Sequence, residues 1–277
     1  METIAVINQK GGVGKTTTTA NIGSGLTILG KRVLLVDLDP QSHLGHSLGV
    51  TNHGNGSTIY HVLRGEREAR EALVQKELGA RINRPNDKGE GAGATESRLH
   101  ITVVPSSLDL AGIDMELSTE PEREFLLKNA LATVAGDFDY TLIDCPPSLG
   151  VLTVNALAAA DRVHIPVQTE YLALESLDKL LDTIDRVKQR WNPVLEVGGI
   201  IATRFDGRKV LNREVVAKLK EHFGSLLFNR VIRENIALAE APSHGLDIFT
   251  YRPRSHGAED YLRLCEEIVE RTLRHAH

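Results

Sequence analysis

Residues 8–17, Asn8-Gln9-Lys10-Gly11-Gly12-Val13-Gly14-Lys15-Thr16-Thr17, limit what this chain can fold into more than any other stretch. A short apolar run, Ile4-Ala5-Val6-Ile7, precedes them, and an Ala/Thr/Leu-rich segment follows over residues 16–29. Strand, glycine loop, helix is the order that a phosphate-binding P-loop requires. In the pattern G-x-x-x-x-G-K-[ST] the outer glycine falls on Gln9, so residues 10–17 remain, with a second lysine at the loop's start. Gly11, Gly12 and Gly14 let the backbone turn tightly and bring its N–H groups against phosphate oxygens. The helix that begins near Thr16 adds the positive end of its dipole. Lys15 is positioned to reach β- and γ-phosphates, and the Thr16 hydroxyl to ligate Mg2+. Lys10 sits too early to duplicate Lys15 and approaches phosphate only from another direction. A flexible glycine turn is the plain alternative, and the full string in this context outweighs it. The expected nucleotide cradle is Lys10, Gly11, Gly12, Val13, Gly14, Lys15, Thr16 and Thr17.

Two further strand ends carry carboxylates. Val33-Leu34-Leu35-Val36-Asp37 is a continuous apolar run suited to a buried parallel strand, and it leads into Asp37-Leu38-Asp39-Pro40-Gln41. Open α/β sheets put their chemistry at such C-terminal strand ends. One of these acids can orient Mg2+ or its waters, and the other can position an attacking water. A solvated strand-end turn is the alternative. The run Tyr140-Thr141-Leu142-Ile143-Asp144 is a third apolar strand ending in an acid, with Asp144 placed to hold Mg2+ through water. Cys145 reads as a small core residue.

With these motifs in view the chain resembles the ParA/MinD family of positioning ATPases, and within it the Soj-like partition branch. Residues 10–17 look like that family's deviant Walker A motif. Asp37-Leu38-Asp39-Pro40-Gln41 resembles its A′ motif, with Asp39 at the position needed for hydrolysis. The resemblance implies ATP and Mg2+ as ligands, and an ATP-bound sandwich homodimer in which Lys10 touches the partner's nucleotide. It further implies non-specific DNA as a ligand of that dimer, and a ParB-like activator that stimulates hydrolysis in chromosome or plasmid segregation. Lys10, Lys15 and Asp39 are then the catalytic set, and Thr16 and Asp144 the metal set. Asn235 matches a nucleotide-contacting Asn beside the adenine; where the family has Pro-Arg, this chain has Arg233-Glu234. Arg208 matches a family arginine used for DNA, whereas a second such position is Ala237. A related ATPase for another cargo, a chemoreceptor cluster or a carboxysome, stays open, as does a MinD-like division-site protein.

Alternating strand and helix patterns over most of the 277 residues imply one α/β P-loop NTPase domain, its sheet mainly parallel and covered by helices on both faces. The hydrophobic content of 41% supports a sizeable core, and 4% aromatic makes that core aliphatic. Cys145 and Cys265 form no C-x-x-C pair, so no disulfide framework or zinc site is suggested, and a reducing cytosol is the expected compartment; the family resemblance implies nucleoid association when ATP is bound. No room for a signal peptide precedes the first strand, and no apolar run approaches a membrane span.

Other segments are read from pattern. A charged helical stretch is expected over residues 66–78, and a helix starting at Glu120-Pro121 that turns Phe125, Leu126, Leu127, Ala130, Leu131 and Val134 inward. Residues 79–98, rich in Gly, Asn and Pro without apolar periodicity, read as a flexible surface insertion. The net charge of −5 argues against whole-surface nucleic-acid binding, yet residues 186–220 hold nine bases against Glu196, Asp206 and Glu214. Arg208, Lys209 and Arg213 are the candidate DNA contacts within that stripe, and ordinary solvated helix faces are the alternative. The C-terminal segment from Ser255 reads as a helix with Tyr261, Leu264, Cys265 and Ile268 on one face. Its other faces are acidic, unlike a basic membrane helix, so it is expected to dock on the sheet.

Overall fold

A computed structural model describes all residues except 51–55, 80–98, 171–172 and 276–277. In chain order the elements are β1 (Glu2–Val6), α1 (Lys15–Ile28), β2 (Val33–Asp37), α2 (His43–Ser47), α3 (Ile59–Leu63), β3 (Val74–Leu78), β4 (Leu99–Val104), α4 (Ile113–Glu116) and α5 (Leu126–Ala132). They continue with β5 (Tyr140–Asp144), α6 (Val151–Ala159), β6 (Arg162–Gln168), α7 (Ala173–Arg190), β7 (Glu196–Thr203), α8 (Val210–Phe223), α9 (Ile236–Glu240), α10 (Ile248–Tyr251) and α11 (His256–His275).

Among the described residues seven strands make one sheet in the order β3-β4-β2-β5-β1-β6-β7. All neighbours are parallel except β3, which runs antiparallel to β4. Continuous apolar strands suit a sheet buried on both sides, because successive side chains point to opposite faces. Ala5, Leu34, Val36 and Ile143 pack with α3, α5, α6 and α7 residues on one face; Ile4, Val6, Val33, Leu35 and Leu142 pack with α1, α10 and α11 residues on the other. The β5-β2 register sets Asp144 opposite Asp37, and the β1-β5 register sets Val6, at the entrance of the glycine loop, opposite Asp144. All three strand ends therefore meet at one edge.

Three expectations need correction or narrowing. Residues 66–78 are not a helix: a 3-10 turn at Ala69–Ala72 leads into the edge strand β3. Val74, Lys76 and Leu78 face inward while Gln75 and Glu77 face solvent, a period-two pattern; most of the charges that suggested a helix precede the strand, in and around the 3-10 turn. The helix expected from Glu120 starts at Leu126, because Glu122 turns the chain with φ 54° and only a 3-10 turn, Arg123–Phe125, follows. Buried Asn155 supplies its cap from α6, accepting from Leu127 N at 3.0 Å. From residue 80 on, the presumed insertion lies outside the described residues. The C-terminal helix docks as expected: Tyr261, Leu264, Cys265 and Ile268 are buried in the core that contains α1 and one sheet face.

Candidate functional site

The glycine loop spans residues 8–14 between β1 and α1, at the C-terminal edge of the sheet. Gly12 and Gly14 have φ of 76° and 92°, a left-handed region open to glycine at no steric cost. Gly14 is the N-cap of α1, a 14-residue helix whose first turn has no side-chain cap, so its leading N–H groups face the loop. Three polar side chains hold the loop's shape. Buried Asn8 donates to Pro166 O at 2.7 Å and accepts from Lys10 N at 2.9 Å. Gln168 donates to Gly12 O at 2.8 Å, and Thr203 to Val13 O at 3.0 Å. The sequence reading gave none of the three this role; Gln168 and Thr203 close β6 and β7, and that location was the available signal.

The two loop lysines lie in different surroundings. Lys15 is buried at the start of α1, whereas Lys10 is 45% exposed and its ammonium meets the Glu170 carboxylate at 2.5 Å. Thr16 and Thr17, half-buried, follow Lys15 in the first turn of α1.

Asp144 is fully buried. Its Oδ2 has no hydrogen-bond partner, while Oδ1 lies 3.4 Å from the donating Thr19 hydroxyl. Burial pushes its pKa up to about 7, with the Thr16 hydroxyl and the Lys15 charge pulling the other way. Asp37 is also fully buried and is pushed upward by burial and by Asp144, against opposing backbone hydrogen bonds. It accepts from Asp39 N at 3.1 Å, Leu44 N at 3.1 Å and Gly45 N at 3.3 Å, so it acts as a brace for the Asp39 turn. Asp39 is half-buried, with its Oδ1 on Gln41 N at 2.9 Å and its carbonyl on the Ser106 hydroxyl at 2.7 Å.

A divalent cation fits this edge. An orphaned, buried carboxylate oxygen beside a threonine hydroxyl is stabilised by positive charge, and Mg2+ takes one or two protein oxygens with phosphate and water completing its shell. Among the described residues no group of three or more His, Cys, Asp or Glu side chains could hold a metal by itself.

The remaining candidate residues lie elsewhere. Asn235 caps α9, its Oδ1 accepting from Ala237 N at 2.9 Å, so that acceptor is committed locally and not to the loop. Arg208, Lys209 and Arg213 gather where β7 passes into α8. Arg208 donates to Asp206 through Nε and Nη2, both at 3.0 Å, Lys209 meets Glu234 at 3.2 Å, and Arg213 donates to Gly207 O at 2.5 Å. Glu234, brought in from a distant segment, was not counted among the acids of this region.

Among the described residues no helix is long and apolar enough to cross a membrane. A family model described as an AAA domain matches residues 1–197. The chromosome-partitioning ATPase Soj of Treponema pallidum is 43% identical, with 98% of each chain covered. The chromosome partitioning protein ParA of Caulobacter vibrioides is 39% identical over 98% of this chain and 95% of its own. A solved structure of cobyrinic acid a,c-diamide synthase from Mycobacterium smegmatis, with bound ADP and magnesium, is 37% identical with a TM-score of 0.78, covering 97% of this chain and 94% of that one. With the loop, both acidic strand ends and near full-length similarity in agreement, the chain belongs to the ParA/Soj family of P-loop ATPases.

Proposed function

We propose that this chain is a DNA-partitioning ATPase that hydrolyses ATP to ADP and phosphate and works through an ATP-bound sandwich dimer. The observation that carries the reading is the division of labour between the two loop lysines. Lys15 is buried in the cradle, while Lys10 stands half-exposed at its mouth, paired with Glu170. A metabolic P-loop enzyme, the class to which the M. smegmatis relative's name belongs, gives Lys10 no task.

In this reading the N–H groups of Gly11, Gly12, Val13 and Gly14 and the side chains of Lys15 and Thr17 hold the nucleotide phosphates. Thr16 directly, and Asp144 through water, would hold Mg2+, which supplies charge neutralisation at the β- and γ-phosphates. Asp39 positions the attacking water, and its turn is kept in place by Asp37 and Ser106. Lys10 of each subunit crosses to the other's nucleotide and adds charge stabilisation there. Asn235 contacts the base. The assembled dimer binds DNA backbone without sequence preference through Arg208, Lys209 and Arg213, and is nucleoid-associated in that state. A ParB-like protein stimulates hydrolysis and release. A positioning ATPase with another cargo uses the same machinery, whereas a MinD-like role is disfavoured because the apolar face of α11 is already buried on α1.

The test is ATP-dependent binding to mixed-sequence DNA by the unaltered protein and by Lys10→Ala. Binding that needs ATP and is lost in the variant supports the reading; ATP-independent binding, or an unaffected variant, overturns it.

A further inference from the structure

The turn between β7 and α8 carries Arg204, Arg208 and Lys209, and each of these cations meets a carboxylate. The two acids involved are not alike. Asp206 belongs to the turn's own fold: its side chain is 11% exposed, it accepts from the Arg208 backbone N–H at 3.0 Å, and its own N–H donates to Asn212 Oδ1 at 2.8 Å. Glu234 arrives from a separate segment. Phe205 donates to Ile232 O at 3.0 Å and Glu234 N donates to Phe205 O at 2.9 Å, a short parallel bridge that fixes the backbone of residues 232–234 beside the turn. The Glu234 side chain, 44% exposed, then reaches Lys209 Nζ at 3.2 Å and Arg204 at 3.6 Å.

The fold has little use for that carboxylate. Exposed ion pairs add little stability because water and salt screen them and two long side chains must be ordered. The anchoring of this segment falls to its neighbour Arg233, which donates through its backbone N, Nε and Nη2 to fully buried Asp260. What Glu234 does change is the charge of an exposed, cation-bearing turn.

We propose that Glu234 is an internal counter-ion, occupying the two cations, Lys209 and Arg204, that would otherwise meet a nucleic-acid backbone, and so setting how tightly this face binds polyanions. The inference rests on the reading that the β7–α8 turn faces DNA. A phosphate reaching Lys209 must displace the Glu234 carboxylate, exchanging one ion pair for another with little net gain. Without the Glu234 carboxylate Lys209 keeps only its longer contact with Asp206, at 3.8 Å, and draws more of its counter-ions from solution; releasing them on binding strengthens association at low salt and steepens its salt dependence.

The experiment measures anisotropy of a labelled mixed-sequence duplex against ATP-loaded protein in the hydrolysis-blocked Asp39→Ala background, over a range of salt. Glu234→Gln should tighten binding about three- to tenfold at low salt and steepen the slope of log K against log salt by about one to two per subunit. Glu234→Lys should go further in both. Melting temperature and ATP affinity, read on the same samples, should stay the same. Equal or weaker binding by Glu234→Gln, with those controls unchanged, overturns the inference even if DNA binding itself is real. No binding by any form at any salt overturns the DNA reading instead. Should the Gln variant melt early, Glu234→Ala decides: it removes the same carboxylate and must tighten binding and steepen the salt slope likewise, and equal or weaker binding overturns the inference.

Discussion

The Lys10 ammonium lies 2.5 Å from the Glu170 carboxylate, tying the start of the glycine loop to the segment that follows β6. Both side chains are about half exposed, so the pair contributes at most about 1 kcal/mol to stability. Its consequence is positional: the second lysine is held toward the segment that follows β6.

Glu170→Gln should therefore release Lys10 without harming the fold. If Lys10 must leave Glu170 to reach a partner's nucleotide, the variant should dimerise with ATP up to about fivefold more readily per subunit, the equivalent of about 1 kcal/mol. Light scattering over a protein dilution series reads this directly. A weaker dimer would mean that Glu170 is itself an interface contact.

Asp39→Ala should bind ATP with near-normal affinity yet hydrolyse it at least about a hundredfold more slowly, since a positioned acid or base contributes about that much. Asp37 and the glycine loop are untouched by the change, so the cradle stays formed. Calorimetry and phosphate release separate the two effects, and a trapped ATP dimer should appear by light scattering. Loss of ATP affinity would move Asp39 from the water to the nucleotide.

Gly11→Val tests the sandwich itself. A Cβ placed on Gly11 meets nothing within 4 Å in the single subunit, so the substitution has room there. In the sandwich reading the added side chain meets the second copy's loop. The expected outcome is ATP binding without dimerisation. A variant that still dimerises with ATP would refute a dimer in which the two loops approach each other.

Much of this site was legible in the sequence because its parts are local. The glycine loop is a contiguous string, and β2 and β5 are unbroken apolar runs closed by Asp37 and Asp144. What was not legible depends on distance along the chain. Gln168 and Thr203 are lone polar residues until β6 and β7 bring them to Gly12 and Val13. Glu234 counts among the charges of the β7–α8 turn only once Phe205 pairs with residues 232–234. The edge strand β3 was misread because it carries Lys76 and Glu77 within five residues and follows a charged turn, and an edge strand tolerates charge where a central strand does not.

Acid sensitivity should trace in part to His164. This imidazole is 2% exposed, stands edge-on to Phe228 with ring centroids 5.2 Å apart, and its Nδ1 has no hydrogen-bond partner. Burial, with Arg271 and Arg162 nearby, holds its pKa down to about 3. The unfolded chain takes up the proton near pH 6.5, so the folded state is fully favoured above that value and loses stability as pH falls towards 3. The loss approaches about 1.4 kcal/mol per pH unit within the window. His164→Leu should flatten that limb in denaturant titrations between pH 7 and about pH 4.5; a limb of unchanged slope would assign the acid response to other groups.

The last prediction concerns Arg208→Glu. Arg208 is 91% exposed and its guanidinium lies flat along Asp206, whose pKa it draws down to about 2. The pair is local to the β7–α8 turn, outside the glycine loop and both acidic strand ends, so its loss should leave nucleotide binding and dimerisation intact. Reversing the charge puts two acids side by side on the turn, and in a symmetric dimer it does so twice on one surface. Contacts to backbone carry no base information, so DNA affinity should fall similarly for every sequence, and the salt dependence should flatten. Ala237 offers no charge in compensation, which makes Arg208 matter more. DNA titrations in the Asp39→Ala background at several salt concentrations provide the measurement. Unchanged affinity and slope would mean that Arg208 serves only to close its own turn around Asp206, and that DNA, if held at all, is held by another face of the dimer.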